Sequence, residues 1–115
     1  MPVTLPKAAA NYIHATNTHD AQAFIRCFDE NAIVLDAGRE LRGLADIKTW
    51  SDHEIMEPLV TLEVRSVAER GGDVIITTQV EGNFDRTGLP DPLIIDHQIT
   101  LADGRITRLQ CRLVN

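Results

Sequence analysis

Residues 93–114 read Leu93-Ile94-Ile95-Asp96-His97-Gln98-Ile99-Thr100-Leu101-Ala102-Asp103-Gly104-Arg105-Ile106-Thr107-Arg108-Leu109-Gln110-Cys111-Arg112-Leu113-Val114. Asp103-Gly104 is a strong tight-turn signal, and the apolar, β-branched runs on either side predict two paired strands, Leu93 to Leu101 and Ile106 to Val114. Upstream, Val74 to Val80 is a third long β-branched run, joined to the hairpin by a Gly- and Pro-rich connection from Gly82 to Pro92. Thr61 to Ala68 alternates and stops at Gly71-Gly72-Asp73, a further hairpin turn. Everything after Pro58 therefore reads as strand.

The first half reads differently. Leu5, Ala8, Ala9, Tyr12, Ile13 and Thr16 recur every three or four residues and predict an amphipathic helix, with Thr4 as its cap and Pro6 in its first turn. Asp20 suits the cap of a second helix, Ala21 to Asp29, with Ala23, Phe24, Cys27 and Phe28 inward. Ile33 to Asp36 and Arg39 to Arg42 are short strands around Ala37-Gly38. Gly43 opens a third helix to about Met56, ended by Pro58, with Leu44, Ile47, Trp50 and Glu54 along one side. The order is ααββαββββ, which predicts an α+β fold: one domain, residues 1–115, with a curved, mostly antiparallel sheet wrapped around N-terminal helices.

Bulk composition narrows the function classes. The 115 residues are 43% hydrophobic and 24% charged, ordinary globular usage. A net charge of −6, with eleven scattered Lys and Arg, lacks the concentrated basic surface that nucleic acid requires. No apolar run approaches the roughly 20 residues of a membrane helix, and the start of the chain lacks a signal-peptide pattern. Cys27 and Cys111 lie far apart in apolar contexts and read as reduced core thiols, so a cytoplasmic protein is expected. No histidine pair has metal-ligand spacing, and there is neither a glycine-rich phosphate loop nor a Ser–His–Asp order.

Several local sequences carry a resemblance. They are Asn17-Thr18-His19-Asp20-Ala21, Phe28-Asp29-Glu30-Asn31-Ala32-Ile33-Val34, Leu41-Arg42-Gly43, and the strand pair around Asp96-His97 and Asp103-Gly104-Arg105-Ile106. With the element order they resemble the nuclear transport factor 2-like superfamily, in its SnoaL-like and ketosteroid isomerase-like branch, over essentially the whole chain. That resemblance implies a cone with an interior hydrophobic pocket, and it does not fix a reaction, because such folds host many chemistries. Within the superfamily, Tyr12 falls where the isomerases keep an oxyanion-hole tyrosine. Asp36 falls at their general base, and Asp96 at a protonated acid that donates a second hydrogen bond.

The resemblance thus implies cofactor-free proton transfer next to the carbonyl of a small apolar ligand. Asp36 is the base, and Tyr12 and Asp96 are donors to the developing enolate oxygen. Such a pair of carboxyls in ketosteroid isomerase is a standard example of pKa tuning. Phe28, Trp50, His53, Phe84, Gln98, Leu109 and Leu113 are the expected pocket residues. Strand parity leaves two arrangements open. Asp96, Gln98 and Thr100 share one face of their strand, and Ile95, His97, Ile99 and Leu101 the other. If Asp96 faces the pocket, the apolar face points outward, to be covered by a homodimer partner through the sheet. If the apolar face lines the core, Asp96 faces solvent. The alternative function is a non-catalytic ligand-binding or dimerisation module of the same fold.

Overall fold

A computed structural model describes residues 5–114. Helix α1 (Lys7–Asn17) buries Ala8, Ala9, Tyr12, Ile13 and Thr16, five of the six residues on the face expected from sequence. Pro6 holds its N-cap position, and the proposed Thr4 cap lies outside the described residues. Helix α2 (Ala21–Arg26) is capped by Asp20, whose side chain accepts from Ala23 N–H. This helix is shorter than expected, because Phe28 already belongs to β1 (Phe28–Asp36). Strand β2 (Arg39–Arg42) pairs back through Ala37 and Gly38, both at positive φ, as a two-residue hairpin turn requires.

Helix α3 (Gly43–Ser51) does not continue to Met56 as a regular α-helix. Residues Asp52–Met56 form a π-helical turn, closed by Glu57 N–H donating to the Asp52 carbonyl at 2.9 Å. The wider turn presents Glu54 and Ile55 to the interior cavity described below. Strands β3 (Thr61–Arg70), β4 (Asp73–Glu81), β5 (Ile94–Ala102) and β6 (Arg105–Leu113) form the meander expected from sequence. The six strands order as β2-β1-β6-β5-β4-β3, all antiparallel except the β1–β6 pair. The fold is α+β, with the helices packed on the inner face of one curved sheet.

That inner face holds the core: Val34 from β1, Ile76 and Val80 from β4, Ile99 from β5, and Ile106 and Leu109 from β6. Tyr12, Phe24, Phe28 and Trp50 pack over it, with ring centroids 5.3 to 6.3 Å apart between neighbours. No described helix is long and apolar enough to cross a membrane.

The outer face is polar. Asp73 accepts from Gln98 at 2.7 Å and from Thr100 at 2.9 Å, and Gln98 accepts from Arg112 at 2.7 Å. The apolar face of β5 is therefore the inner one. This removes the outward apolar strip that was the reason to expect a partner copy there.

Asn17, at the end of α1, ties the helices to the sheet. Its amide accepts from Leu62 N–H at 2.6 Å and donates to the Leu62 carbonyl at 3.0 Å, imitating a strand partner for β3. His19, just past the helix, bonds the Val60 carbonyl at 2.9 Å through Nε2. Removing the amide orphans two backbone groups at once, and each costs about 1–3 kcal/mol where water cannot replace the partner. Asn17→Ala should therefore lower unfolding stability by about 2–3 kcal/mol in urea denaturation, with Asn17→Asp intermediate.

Candidate functional site

Sheet register builds the site. Asp36 pairs with Cys111 across β1–β6, Cys111 with His97 across β6–β5, and His97 with Ile76 across β5–β4. The first three side chains therefore form one row on the inner face, with the Cα atoms of Asp36 and His97 about 10 Å apart, two strand spacings. Tyr12 reaches this row from α1. Together they line a cavity of about 350 Å³, walled by Trp50, Ile55, Leu62, Val80, Ile95 and Leu113. The connection between β4 and β5 contributes Phe84, Asp85 and Leu89. Gly82 permits that approach: a Cβ there would meet the Phe84 ring at 3.0 Å and the Pro58 carbonyl at 3.2 Å.

The deep end is a buried hydrogen-bonded chain. Tyr12 Oη lies 2.9 Å from His97 Nδ1, and Thr78 Oγ1 lies 2.9 Å from His97 Nε2. All three residues are almost wholly inaccessible. Burial pushes His97 down to about 4, with the neighbouring Asp96 carboxylate opposing the shift, so the imidazole is neutral at pH 7. Burial pushes Tyr12 well above its ordinary value, reinforced by Cys111 and the Asp36 carboxylate, so its hydroxyl keeps its proton. Burial likewise raises the Cys111 thiol, which lies 4.0 Å from His97 Nδ1.

The open end is ionic. Asp36, one quarter exposed, accepts from Trp50 Nε1–H at 3.0 Å and lies 3.5 Å from Arg39. Both contacts fall on Oδ2, and Oδ1 carries none among the described residues. Arg39 also donates to Glu54 at 3.1 Å. The charged residues lining the cavity are Asp36, Glu54 and Asp85, with neither Lys nor Arg among them. Among the described residues, no group of three or more His, Cys, Asp or Glu is placed to hold a metal ion.

Of the residues singled out from sequence, Tyr12, Asp36, Trp50, Phe84 and Leu113 share this cavity. Asp96 does not. It stands on the outer face, accepting from Thr77 Oγ1 and registered opposite Arg112, because β5 buries His97 and Ile99. Gln98 lies on the same outer face. Phe28 and Leu109 are packed into the core beside the cavity rather than along its wall. His53 is exposed on the far side of the π-helical turn, 3.2 Å from Glu57, where that turn points it away from the interior. From sequence, His97 was set on the apolar face of its strand without a role, and Thr78 was passed over. Their signal is a polar side chain set between apolar ones on a buried strand face: Thr78 between Ile76 and Val80, and His97 between Ile95 and Ile99. A wider depression of about 600 Å³ between α1, α2 and the β5–β6 turn contains neither Tyr12 nor Asp36.

Helices on the inner face of one curved sheet, with a cavity between them, make the nuclear transport factor 2-like, ketosteroid isomerase-like fold. The chain belongs to the SnoaL-like domain family, whose model matches residues 9–109. Among solved structures it is similar to a proposed polyketide cyclase from Sinorhizobium meliloti, at 25% identity over 94% of this chain and 95% of that one, with a TM-score of 0.83. A nuclear transport factor 2-like protein of unknown function from Cytophaga hutchinsonii is 18% identical, over 98% of this chain and 92% of that one, with a TM-score of 0.76. The Δ5-3-ketosteroid isomerase of a Mycobacterium species is 15% identical, over 91% and 88%, with a TM-score of 0.71. The last two likenesses concern the fold alone. A search of curated proteins gave no match.

The buried imidazole sets a pH dependence. His97 binds its proton near pH 4 when folded and near 6.5 when unfolded, so between those values the unfolded chain holds more protons. Its effect is nil above pH 6.5 and grows as the pH falls, reaching at most about 3 kcal/mol of lost stability near pH 4. Unfolding measured from pH 7 to pH 4 should be correspondingly less pH-sensitive in His97→Gln, and equal slopes would contradict a buried neutral imidazole.

Proposed function

We propose that this protein is a cofactor-free enzyme that moves a proton at the carbon next to a carbonyl group in a small, largely apolar compound. The observation that carries this reading is the convergence of Asp36 and Tyr12 on one mostly apolar cavity, from opposite ends of a cross-strand row. Asp36 Oδ1 takes the α-proton. The electron pair moves onto the carbonyl oxygen, where Tyr12 O–H stabilises the enolate, and Asp36 returns the proton to the same carbon or one conjugated with it. A fixed donor in a water-poor site is the larger catalytic contribution, because it requires no reorganisation as charge develops. The raised pKa of Tyr12 makes it a hydrogen-bond donor that retains its proton rather than an acid that loses it. Trp50 and Arg39 hold the opposite carboxylate oxygen and so aim Oδ1.

Size and charge narrow the substrate. A cavity of about 350 Å³ stands at the low end of the roughly 300–1,000 Å³ of ligand pockets. Three carboxylates and no cation line it, which disfavours ligands bearing a carboxylate or phosphate.

Conversion of a β,γ-unsaturated ketone to its conjugated isomer, followed by ultraviolet absorbance, tests the reaction on cyclohex-3-en-1-one and on a 3-ketosteroid. Asp36→Asn should lose about 10²–10⁴-fold in rate and Tyr12→Phe about 10²–10³-fold, both remaining folded. Equal rates in wild type and Asp36→Asn, for isomerisation and for α-proton exchange in D2O, would refute the reading. A carboxylated cyclohexenone should bind wild type more weakly than the parent ketone, and Glu54→Gln together with Asp85→Asn should narrow that gap.

A further inference from the structure

The chain Tyr12–His97–Thr78 can be satisfied in two ways, which differ in where the Tyr12 proton points. Thr78 Oγ1 lies 3.5 Å from the Ile95 carbonyl, to which it donates, as well as 2.9 Å from His97 Nε2. With the threonine proton on that carbonyl, Nε2 must carry the imidazole hydrogen and donate it to Thr78. Nδ1 is then bare and accepts from Tyr12 O–H. Every polar atom is paired in this arrangement, and no buried side-chain polar atom among the described residues lacks a partner. The Tyr12 proton, however, is turned away from the cavity. In the other arrangement the imidazole hydrogen sits on Nδ1 and is donated to Tyr12 Oη. Nε2 accepts from Thr78 O–H, and the Tyr12 proton is free to point into the cavity.

We propose that His97 and Thr78 are positioning residues forming a two-state hydrogen-bond switch. In the empty protein the Nε2–H tautomer holds the Tyr12 proton, and a ligand carbonyl in the cavity selects the Nδ1–H tautomer, which releases it. The inference rests on the reading of the cavity as a carbonyl site. The empty protein gains one weak bond, from Thr78 to the Ile95 carbonyl at the limit of hydrogen-bond length, and the loaded protein exchanges it for a full bond from Tyr12 to the ligand. The two states are thus close in free energy, which is the condition under which a ligand can shift them. Proton count and charge are the same in both: the ring gains a proton at Nδ1 and loses one from Nε2, an exchange that needs a transient opening of the buried chain to water. The intermediate imidazolium, from a group titrating near 4, is present in about one molecule in a thousand at pH 7, enough for exchange between the tautomers. The Cys111 thiol beside Nδ1, at 4.0 Å, is too distant to fix either state.

The test is ¹⁵N NMR of histidine-labelled protein at pH 7, with the His97 signals assigned by His97→Gln. Empty wild type should show a neutral ring protonated on Nε2. Saturation with cyclohex-2-en-1-one should move the proton to Nδ1. Thr78→Val removes the partner of Nε2 in both states, and because a buried N–H without an acceptor costs more than a bare ring nitrogen, it should show the Nδ1–H form even without ligand and bind the enone more tightly. The gain follows the rise in competent fraction, about tenfold if that fraction is one tenth in wild type. An Nδ1–H ring or an imidazolium in the empty wild type overturns the switch, and this measurement stands even if Thr78→Val does not fold. Enone that shifts the signals of Ile95, Val80 and Leu113 while His97 keeps Nε2–H overturns the switch but leaves the carbonyl site standing. Failure of the enone to bind at all removes the carbonyl site, and the switch with it.

Discussion

Alternation along β5 allows only one of the adjacent residues Asp96 and His97 to face the helices, and the choice is made by the cost of burying charge. An ordinary aspartic acid kept neutral at pH 7 costs about 4 kcal/mol, three pKa units at 1.36 each, whereas an ordinary histidine is already mostly neutral there. An imidazole also carries one donor and one acceptor, so two neutral hydroxyls can satisfy it completely. Tyr12 and Thr78 do so, at 2.9 Å each. Asp96 is left on the outer face, where Thr77 donates to it and solvent is near. Once His97 is inside, the rest of the inner surface follows. Ile95 and Ile99 join it from the same strand, Cys111 stands beside it on β6, and Tyr12 is anchored by its hydroxyl as well as its ring.

The same row explains why the two ends of the cavity differ. At its inner end every polar group is neutral and paired, because β5 and β4 are central strands covered by helices. At its outer end Asp36 closes β1 just before the Ala37–Gly38 turn, one quarter exposed, with Trp50 and Arg39 holding one oxygen. A carboxylate is affordable there and nowhere deeper. Arg39 itself is half exposed, so its contacts with Asp36 and Glu54 orient the acids more than they stabilise the fold.

Much of this was legible in the sequence. The helix face through Tyr12, the Asp20 cap, the Asp103–Gly104 turn and the placement of Asp36 at a strand end all rest on local patterns, and local patterns survive folding. Parity in β5 separated an apolar face, with Ile95, Ile99 and Leu101, from a polar one, but nothing local to the strand says whether an apolar face meets the helices or a partner copy, and the resemblance drew Asp96 inward. Bulges at Arg65 in β3 and at Thr107 in β6, opposite Thr100/Leu101, further shift the register, so counting by two along β3 or β6 fails. The roles of Asn17 and His19 depend on backbone more than forty residues away, at Leu62 in β3 and at Val60 just before it. Nothing in their neighbours announces that contact. The π-helical turn at Asp52–Met56 is equally silent in composition, yet it decides that Glu54 and Ile55, and not His53, reach the interior.

The separation between the two ends also bears on how a ligand would lie. Burial raises the value of a hydrogen bond and the cost of a charge together, so the place for a carbonyl oxygen that gains negative charge is beside Tyr12, where the donor is dry and fixed. The place for a group that must be ionised to act is the rim, where Asp36 keeps its contact with water. Asp36 and His97 project from the same face of the sheet with Cα atoms about 10 Å apart, and Tyr12 bonds His97, so the base and the donor stand at opposite ends of one row. A carbonyl compound bound oxygen-first thus presents its neighbouring carbons to Asp36 Oδ1, and one entering the other way would set its oxygen against three carboxylates. The polarity gradient of the sheet, more than the shape of the walls, therefore gives the cavity its direction.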